Sequence, residues 1–242
     1  MSDNLMETQH TLTDEMPNAC EIDSDAEIAD ETPRELRDEE PINTLTHGVG
    51  CLLSIAGVAW LAWLARAHGD RYQQIGVAIY GASLVAVYAA STLSHLFRRP
   101  RLRRLFRIID QACIFLLIAG TFTPVSLTYL RTGYWWVLFG LIWAIALFGF
   151  FSKAIFAHRV ESVSTVLHVA LGWLPVSCLK PMIGLAPAGL FGWMLAGGIC
   201  YTVGTIFLRR DERVPYFHAV WHLLVIAGSA LHFWAIAAYC TG

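Results

Sequence analysis

Seven apolar segments, most of them about twenty residues long, dominate the sequence from Asn43 onward. They cover roughly residues 43–65, 72–97, 107–130, 134–152, 160–180, 188–208 and 215–239. A helix of about 20 apolar residues crosses the ~30 Å hydrocarbon core of a bilayer. The connections between the segments are short, which predicts that consecutive helices are antiparallel neighbours. The sequence therefore predicts an all-α membrane protein, built as a seven-transmembrane helix bundle.

The distribution of charge divides the chain into two parts. Charged residues make up only 15% of the sequence, against about 25% in soluble domains. Of the 19 acidic residues, 14 lie within Met1–Glu40. We therefore expect residues 1–40 to form an acidic, mostly disordered cytoplasmic tail and residues 41–242 to form the transmembrane domain. Within the tail, Thr32-Pro33-Arg34-Glu35 predicts the start of a short polar helix that Pro41 interrupts.

The basic residues predict how the bundle is oriented. The loops after the second, fourth and sixth segments contain eleven basic residues near the membrane, and the other loops contain four. Because Lys and Arg are retained on the cytoplasmic side, the N-terminus should be cytoplasmic and the C-terminus outside. The N-terminus lacks the basic and apolar regions of a signal peptide, so targeting should depend on the first span. The predicted location is the plasma or inner membrane, with multiple crossings.

Three histidines are candidate metal ligands. His218 and His222 are four residues apart, which places them about one turn apart on one face of a helix. His95 lies at the end of the second segment, at the same predicted depth. Ionisable side chains in a membrane are expensive and usually have partners. Three imidazoles with one open position suit a tetrahedral Zn²⁺ site, and the six scattered cysteines form no CxxC pair that would suggest a thiolate site.

Two further polar residues are predicted to take part in chemistry at this site. Asp110 is the only carboxylate well inside an apolar segment, where it can orient a metal-bound water and accept its proton. Ser91 precedes His95 by one turn and can support the site or contact a substrate. The first segment places Glu40, Asn43 and His47 at the same depth, where they would support the site or only stabilise the first helix.

Each histidine taken alone is more often a packed, hydrogen-bonded residue than a ligand. The metal hypothesis depends on the common depth of the whole set. We therefore interpret His168, in the middle of the fifth segment, as a packing residue. His232 shares a face with His218 but lies about 21 Å further along the helix, too far to bind the same ion.

At these residues the sequence resembles the hemolysin III branch of the progestin and adipoQ receptor (PAQR) superfamily. The matching pieces are Glu40-Pro41-Ile42-Asn43-Thr44-Leu45-Thr46-His47, Ser91-x-x-x-His95, Asp110 with Ala119-Gly120-Thr121-Phe122-Thr123-Pro124, and His218-x-x-x-His222 with His232-Phe233. The resemblance covers essentially everything from Glu40 to the C-terminus. It implies a seven-helix fold with a cytoplasmic N-terminus. It also implies zinc held by His95, His218 and His222, with Asp110 contacting the bound water and Ser91 as the family's serine.

The resemblance also implies that lipids are the partners, since relatives in the superfamily hydrolyse lipid amides such as ceramide. Three hypotheses remain open at this point. The first is a zinc-dependent hydrolase of lipid amide or ester bonds, involved in membrane homeostasis. The second is a membrane sensor or regulator in which the zinc is structural, and the third is a cytolytic pore. Nothing in the sequence indicates a nucleic-acid partner, and nothing specifies the substrate or the oligomeric state.

Overall fold

The computed structural model describes residues 34–131, 133, 135–155, 161–178, 180 and 183–242, with the backbone alone for 34–38, 161–164 and 178. These residues form seven α-helices and one short 3₁₀ helix. The α-helices are α1 (Arg34–His68), α2 (Arg71–Leu96), α3 (Pro100–Tyr129), α4 (Trp135–Ile155), α5 (Glu161–Trp173), α6 (Ala188–Leu208) and α7 (Phe217–Tyr239). The 3₁₀ helix, Leu174–Cys178, directly continues α5. The described part of the chain contains no strand, which confirms the all-α prediction.

Six of the described helices are long and apolar enough to cross a membrane. They are α2, α3, α4, α6, α7 and the Glu39–His68 part of α1. The fifth predicted segment is represented by an apolar helix of only 13 residues and the 3₁₀ turn that follows. Large apolar side chains cover the outer surface, among them Leu52, Trp63 and Phe148, as expected of a protein that faces lipid. The molecule is a multi-pass membrane protein.

Helix α1 differs from the sequence-based prediction. Pro41 was expected to interrupt a short surface helix, but α1 runs through it without a break from Arg34 to His68. A proline removes one backbone hydrogen bond from a helix. Here the side chains of Glu39 and Glu40, just before Pro41, are bonded to neighbouring helices, and these contacts hold the turn in place. The predicted helix start at Thr32-Pro33 and the acidic leader before it lie outside the described residues.

Helix α2 packs along both α1 and α3, while α6 packs along α7. Small residues allow these close approaches. A Cβ atom at Gly76 of α2 would lie 2.9 Å from the Cα of Pro124 in α3. Gly197 and Gly228 bring α6 and α7 together, since a Cβ on either would lie 3.1 Å from the other's carbonyl oxygen. Close packing of this kind holds membrane helices at fixed distances.

The end of α1, the start of α2 and the end of α3 meet at the side of the bundle opposite the three histidines. Asp70 caps α2 by accepting a hydrogen bond from the backbone N–H of Gln73 at 2.9 Å, and Gln73 returns the contact to the Asp70 N–H. The other carboxylate oxygen of Asp70 pairs with Arg131 at 2.9 Å. The Gln73 hydrogen bond and the Arg131 charge hold the pKa of this exposed carboxyl group below its usual range.

Candidate metal centre

The structure brings His95, His218 and His222 together. His95 lies in the last turn of α2, and the other two lie in the first two turns of α7. One potential ligand atom from each lies within 4.8 Å of the others. The ring centroids are 4.5 to 5.1 Å apart. The contact between the end of α2 and the start of α7 thus brings together three histidines that are far apart in the sequence.

Each of the three rings is held by a hydrogen bond from its Nδ1 atom. His95 Nδ1 lies 2.7 Å from Glu40 Oε2, and His218 Nδ1 lies 2.7 Å from Asp211 Oδ2. His222 Nδ1 lies 3.1 Å from Thr46 Oγ1.

These contacts determine the tautomer of all three rings. Ionised carboxylates only accept hydrogen bonds, so the Nδ1 atoms of His95 and His218 carry the proton. Thr46 donates its own proton to the carbonyl oxygen of Asn43, so it accepts from His222. The three Nε2 atoms are therefore left as lone-pair donors. This is the pattern by which proteins orient metal-binding histidines.

The geometry fits a zinc ion. With Zn–N distances of about 2.0–2.1 Å, the ligand nitrogens of a tetrahedral site are roughly 3.3 Å apart. The described ligand atoms lie within 4.8 Å of one another, so their separations need to shrink by at most about 1.5 Å to reach that arrangement. Three neutral imidazoles also match the donor set of zinc sites that keep a fourth position open.

Glu40 joins three helices at the site. One carboxylate oxygen accepts from His95, and the other pairs with Arg103 of α3. The preceding residue, Glu39, accepts a hydrogen bond from the backbone N–H of Tyr216 at 2.8 Å. Tyr216 has a φ of 63°, a left-handed conformation that starts α7 at the correct angle. The first helix thus positions ligands on both α2 and α7.

Ser91 and Asp110 lie side by side next to the three histidines. Ser91 is buried, and its hydroxyl oxygen has no well-formed hydrogen bond. Asp110 of α3 faces Ser91, and His218 is within electrostatic range of its carboxylate. Asp110 is not part of the close three-histidine group. Its predicted role beside a metal-bound water therefore stays a prediction.

The first helix places Asn43 and His47 against the site. The His47 ring stacks on His222 with centroids 3.6 Å apart, yet His47 is not in the close group. Both of its ring nitrogens, and the Oδ1 atom of Asn43, are buried without a hydrogen-bond partner. The packing role of these side chains is clear, and any other role stays a prediction.

His168 and His232, two further histidines of the described helices, lie away from this group. His232 Nε2 donates to the carbonyl oxygen of Met194 at 2.9 Å. The His168 ring packs on Phe115 with centroids 4.0 Å apart. Neither belongs to the close three-histidine group.

Sequence reasoning did not find Thr46, Arg103, Asp211 or Glu39 as parts of the site. Asp211 and Glu39 are hydrophilic residues in a loop and a tail, where charge needs no special explanation. A usable signal existed for Thr46, which lies one residue before His47 and three after Asn43 on the predicted first helix.

An apolar cavity of about 350 Å3 lies elsewhere in the bundle, between α3, α5, α6 and α7. Most of its polar wall groups are bonded within the protein. Trp173 donates to Thr202, Tyr201 is bonded to Ser229, and Thr205 donates to a carbonyl oxygen. The three histidines, Ser91 and Asp110 do not line it. A wall of this kind does not favour the pore hypothesis, since an ion path requires polar lining.

Comparison with known proteins supports the same assignment as the residue pattern. The family model described as Haemolysin-III related matches residues 36–233. The chain is 39% identical over 201 residues to Hemolysin-3 of Bacillus cereus, covering 83% of this chain and 91% of that protein. It is 36% identical over 202 residues to the Hemolysin-3 homolog of Bacillus subtilis (strain 168), covering 84% and 94% respectively. The human Monocyte to macrophage differentiation factor is 27% identical over 213 residues, covering 83% and 84%.

Proposed function

The chain belongs to the haemolysin III family of membrane proteins, and we propose that it is a zinc-dependent hydrolase of lipid amide or ester bonds. The zinc would be held by His95, His218 and His222. The ligand nitrogens lie just inside the ends of helices α2 and α7. With α2 and α7 crossing the bilayer, this would be the depth at which the linkage between a lipid head group and its acyl chain is found.

One observation carries the proposal. The Nδ1 atoms of all three histidines are bonded to Glu40, Asp211 and Thr46, which leaves the Nε2 lone pair available on each ring, and the three rings meet at one place. Three packing histidines would have no reason to share a tautomer. Arrangements in which a carboxylate orients a ligand histidine are typical of zinc sites.

Zinc in an open three-histidine site supplies Lewis acidity and lowers the pKa of a bound water toward ~7. The protein would supply the remaining functions. Asp110 would accept a proton at its carboxylate, and the Ser91 hydroxyl would donate a hydrogen bond to the carbonyl oxygen of the scissile bond. Glu40 and Asp211 would keep the ligand rings in place during the reaction.

The same proposal includes a seventh crossing. Helix α5 and the 3₁₀ helix together span about 30 Å, from 13 residues at about 1.5 Å each and five at about 2.0 Å each. That length matches the ~30 Å hydrocarbon core. With seven crossings, the loop charges would put the N-terminus and the three histidines on the cytoplasmic side and the C-terminus outside.

A second candidate function has support from a different observation. The apolar cavity is not lined by the three histidines, and Glu39, Glu40 and Thr46 of α1 all contact residues of other helices at the site. A zinc ion in that position would fasten α2 and α7 to each other. The protein would then be a membrane regulator whose metal is structural.

Metal content and lipid turnover distinguish the two functions. Purified wild-type protein should contain about one zinc per chain, and His95→Ala, His218→Ala and His222→Ala should each lose it. His168→Ala, a histidine of the same bundle outside the group, should retain it. Wild type without zinc, or unchanged zinc in the three variants, would refute both functions.

Turnover is then measured as fatty acid released from a panel of N-acyl and O-acyl lipids. The hydrolase requires release by the wild type and its loss in Asp110→Asn with zinc retained. If wild type and Asp110→Asn both contain zinc and neither releases fatty acid from any lipid of the panel, the zinc is structural.

A further inference from the structure

We propose that the apolar cavity and a cluster of three arginines beside it form a binding site for one anionic phospholipid of the surrounding bilayer. An acyl chain would lie in the cavity, and the phosphate would bind Arg209, Arg210 and Arg213. This site is separate from the three-histidine group and does not depend on hydrolase activity.

The cavity suits an acyl chain. Its volume of about 350 Å3 is within the range of ligand pockets, roughly 300–1,000 Å3. It follows α6 from Leu190 to Thr205, a distance of about 22 Å along the helix. That length exceeds the ~15 Å of hydrocarbon in one leaflet. Because most of its lining side chains are apolar, and the polar groups of Trp173, Tyr201 and Thr205 are bonded within the protein, the cavity offers mainly hydrocarbon contacts.

The arginines suit a phosphate group. Arg209, Arg210 and Arg213 line one open pocket at the end of α6, together with Thr205 and Ile206. Among the described residues, no carboxylate pairs with any of these three side chains. Guanidinium groups bind phosphate oxygens through paired hydrogen bonds. A cluster of this kind is a charge-complementary site for an anionic head group.

The acidic residues of the same loop do not neutralise this pocket. Asp211 points to His218, to which it is hydrogen-bonded, and Glu212 is exposed and does not line the pocket. Three positive side chains therefore line the pocket, and none of the acidic side chains in the described part of the chain does.

Thr205 connects the two parts because it lines both the cavity and the arginine pocket. Arg209 follows it by one helical turn, on the same face of α6. The hydrocarbon wall thus ends where the positive charge begins. Only an amphiphile with an apolar tail and an anionic head satisfies both parts at once.

Arginines near a membrane also act as topology signals and bind anionic lipids without a defined site. Arg98 and Arg99 provide the matched comparison. Both are exposed at the same end of the bundle, between α2 and α3, and neither lines the cavity or the pocket.

The test measures lipid retained by the protein. Delipidated protein is reconstituted in vesicles of equal parts phosphatidylglycerol and phosphatidylcholine, extracted in detergent, and analysed for bound lipid by mass spectrometry. Wild type should retain about one phosphatidylglycerol per chain. Retention should fall by about fivefold for each of Arg209→Gln, Arg210→Gln and Arg213→Gln. The double variant Arg98→Gln/Arg99→Gln should retain lipid as the wild type does.

Substitution of two glycines tests whether the acyl chain occupies the cavity. Gly198 lines it, and a Cβ added there meets no atom within 4 Å, so Gly198→Leu fills the cavity without displacing the helices. This variant should lose the retained lipid. Gly140→Leu also meets open space at its Cβ but lies on the exposed face of α4 outside the cavity, and it should behave as the wild type.

Two further measurements use the wild-type protein alone and so do not depend on how the variants fold. Phosphatidylglycerol with a photoreactive acyl chain should label the peptide containing α6, and excess glycerol phosphate without chains should not displace it. Any one of four results would overturn the proposal. The Arg98→Gln/Arg99→Gln control could lose as much lipid as the Arg209, Arg210 and Arg213 variants, or Gly198→Leu could retain its lipid. The photoreactive lipid could label only the outer surface of the protein, or glycerol phosphate could displace it. Zinc content is recorded in every variant, and it should stay unchanged whether or not the hydrolase proposal holds.

Discussion

Oδ2 of Asp211 accepts a hydrogen bond from Nδ1 of His218 at 2.7 Å. The two residues are separated by the turn that leads from α6 into α7, so the loop itself orients one of the three histidines. The carboxylate fixes the proton on Nδ1 and leaves the Nε2 lone pair available to a metal. A residue in a charged surface loop therefore determines the geometry of the candidate metal centre.

Replacing Asp211 by Asn should weaken zinc binding by about 10- to 100-fold. The amide can still accept a hydrogen bond, but it lacks the charge that supports the His218 ring as a ligand. The affinity is measured by competition with a chelator of known zinc affinity. Glu212→Gln is the matched control, since Glu212 is exposed and adjacent in the loop. Equal affinity in both variants would show that Asp211 does not support the metal.

Glu40→Gln should lower both zinc affinity and thermal stability. The carboxylate bonds His95 and Arg103 at once, and hydrogen bonds to charged groups each contribute about 1.5–3 kcal/mol. Glu39→Gln separates the two effects because Glu39 bonds the Tyr216 backbone, whereas Glu40 bonds a candidate ligand ring directly. It should lower the unfolding temperature and weaken zinc binding much less than Glu40→Gln does. A loss of zinc affinity in Glu39→Gln as large as in Glu40→Gln would contradict this division.

His47→Phe should leave the zinc content at one per chain. The phenyl ring keeps the stacking on His222, where the centroids are 3.6 Å apart, and it removes both ring nitrogens. Those nitrogens have no hydrogen-bond partner to lose. Zinc is counted by elemental analysis of the purified variant. A chain without zinc would mean that His47 is a fourth ligand.

Gly76→Ala should destabilise the bundle by about 1–3 kcal/mol, the usual cost of overpacking. The new Cβ would lie 2.9 Å from the Pro124 backbone, which cannot move aside as a side chain can. Unfolding is followed by the loss of helical signal with denaturant in detergent. Gly140→Ala, whose Cβ meets nothing within 4 Å, should cause no loss. If both substitutions are neutral, α2 and α3 are less tightly packed than the structure indicates.

Asp70 should stabilise the folded protein by an amount that decreases as the pH is lowered into the acid range. Its pKa is depressed by the Gln73 hydrogen bond and the Arg131 charge. The stabilisation is therefore fully present above the ordinary carboxyl pKa and disappears as the pH falls through the lower folded value. The unfolding temperature of Asp70→Asn should lie below that of wild type at pH 7, and the two should converge as the pH falls through the lowered folded pKa. A difference that persists in acid, where the Asp70 carboxyl group is protonated, would mean that the charge is not its source.

The sequence predicted the helical membrane fold and the close approach of the three histidines because both follow from regular spacing. Apolar segments of constant length locate helices, and the i, i+4 pair places His218 and His222 on one face. The partners of these histidines follow no such rule. Asp211 acts from a loop, and Thr46 lies beside a histidine that is not in the group, so their roles depend on the tertiary packing of α1 and α7.

Two other features of the molecule could not be predicted from the sequence and are seen only in the structure. The uninterrupted helix at Pro41 depends on contacts of Glu39 and Glu40 with residues far along the chain. The apolar cavity arises from residues on four helices that show no common motif, including Gly172 and Gly198, where small size leaves open space.

The contacts of α1 also set the order in which the centre can be built during synthesis. Thr46 and His222 are 176 residues apart, and Glu39 and Tyr216 are 177 apart. Two of the three histidines lie in the last helix, so a nascent chain that ends before Phe217 has no centre to fill. Acquisition of zinc would therefore report that the final helix has entered the membrane and met the first.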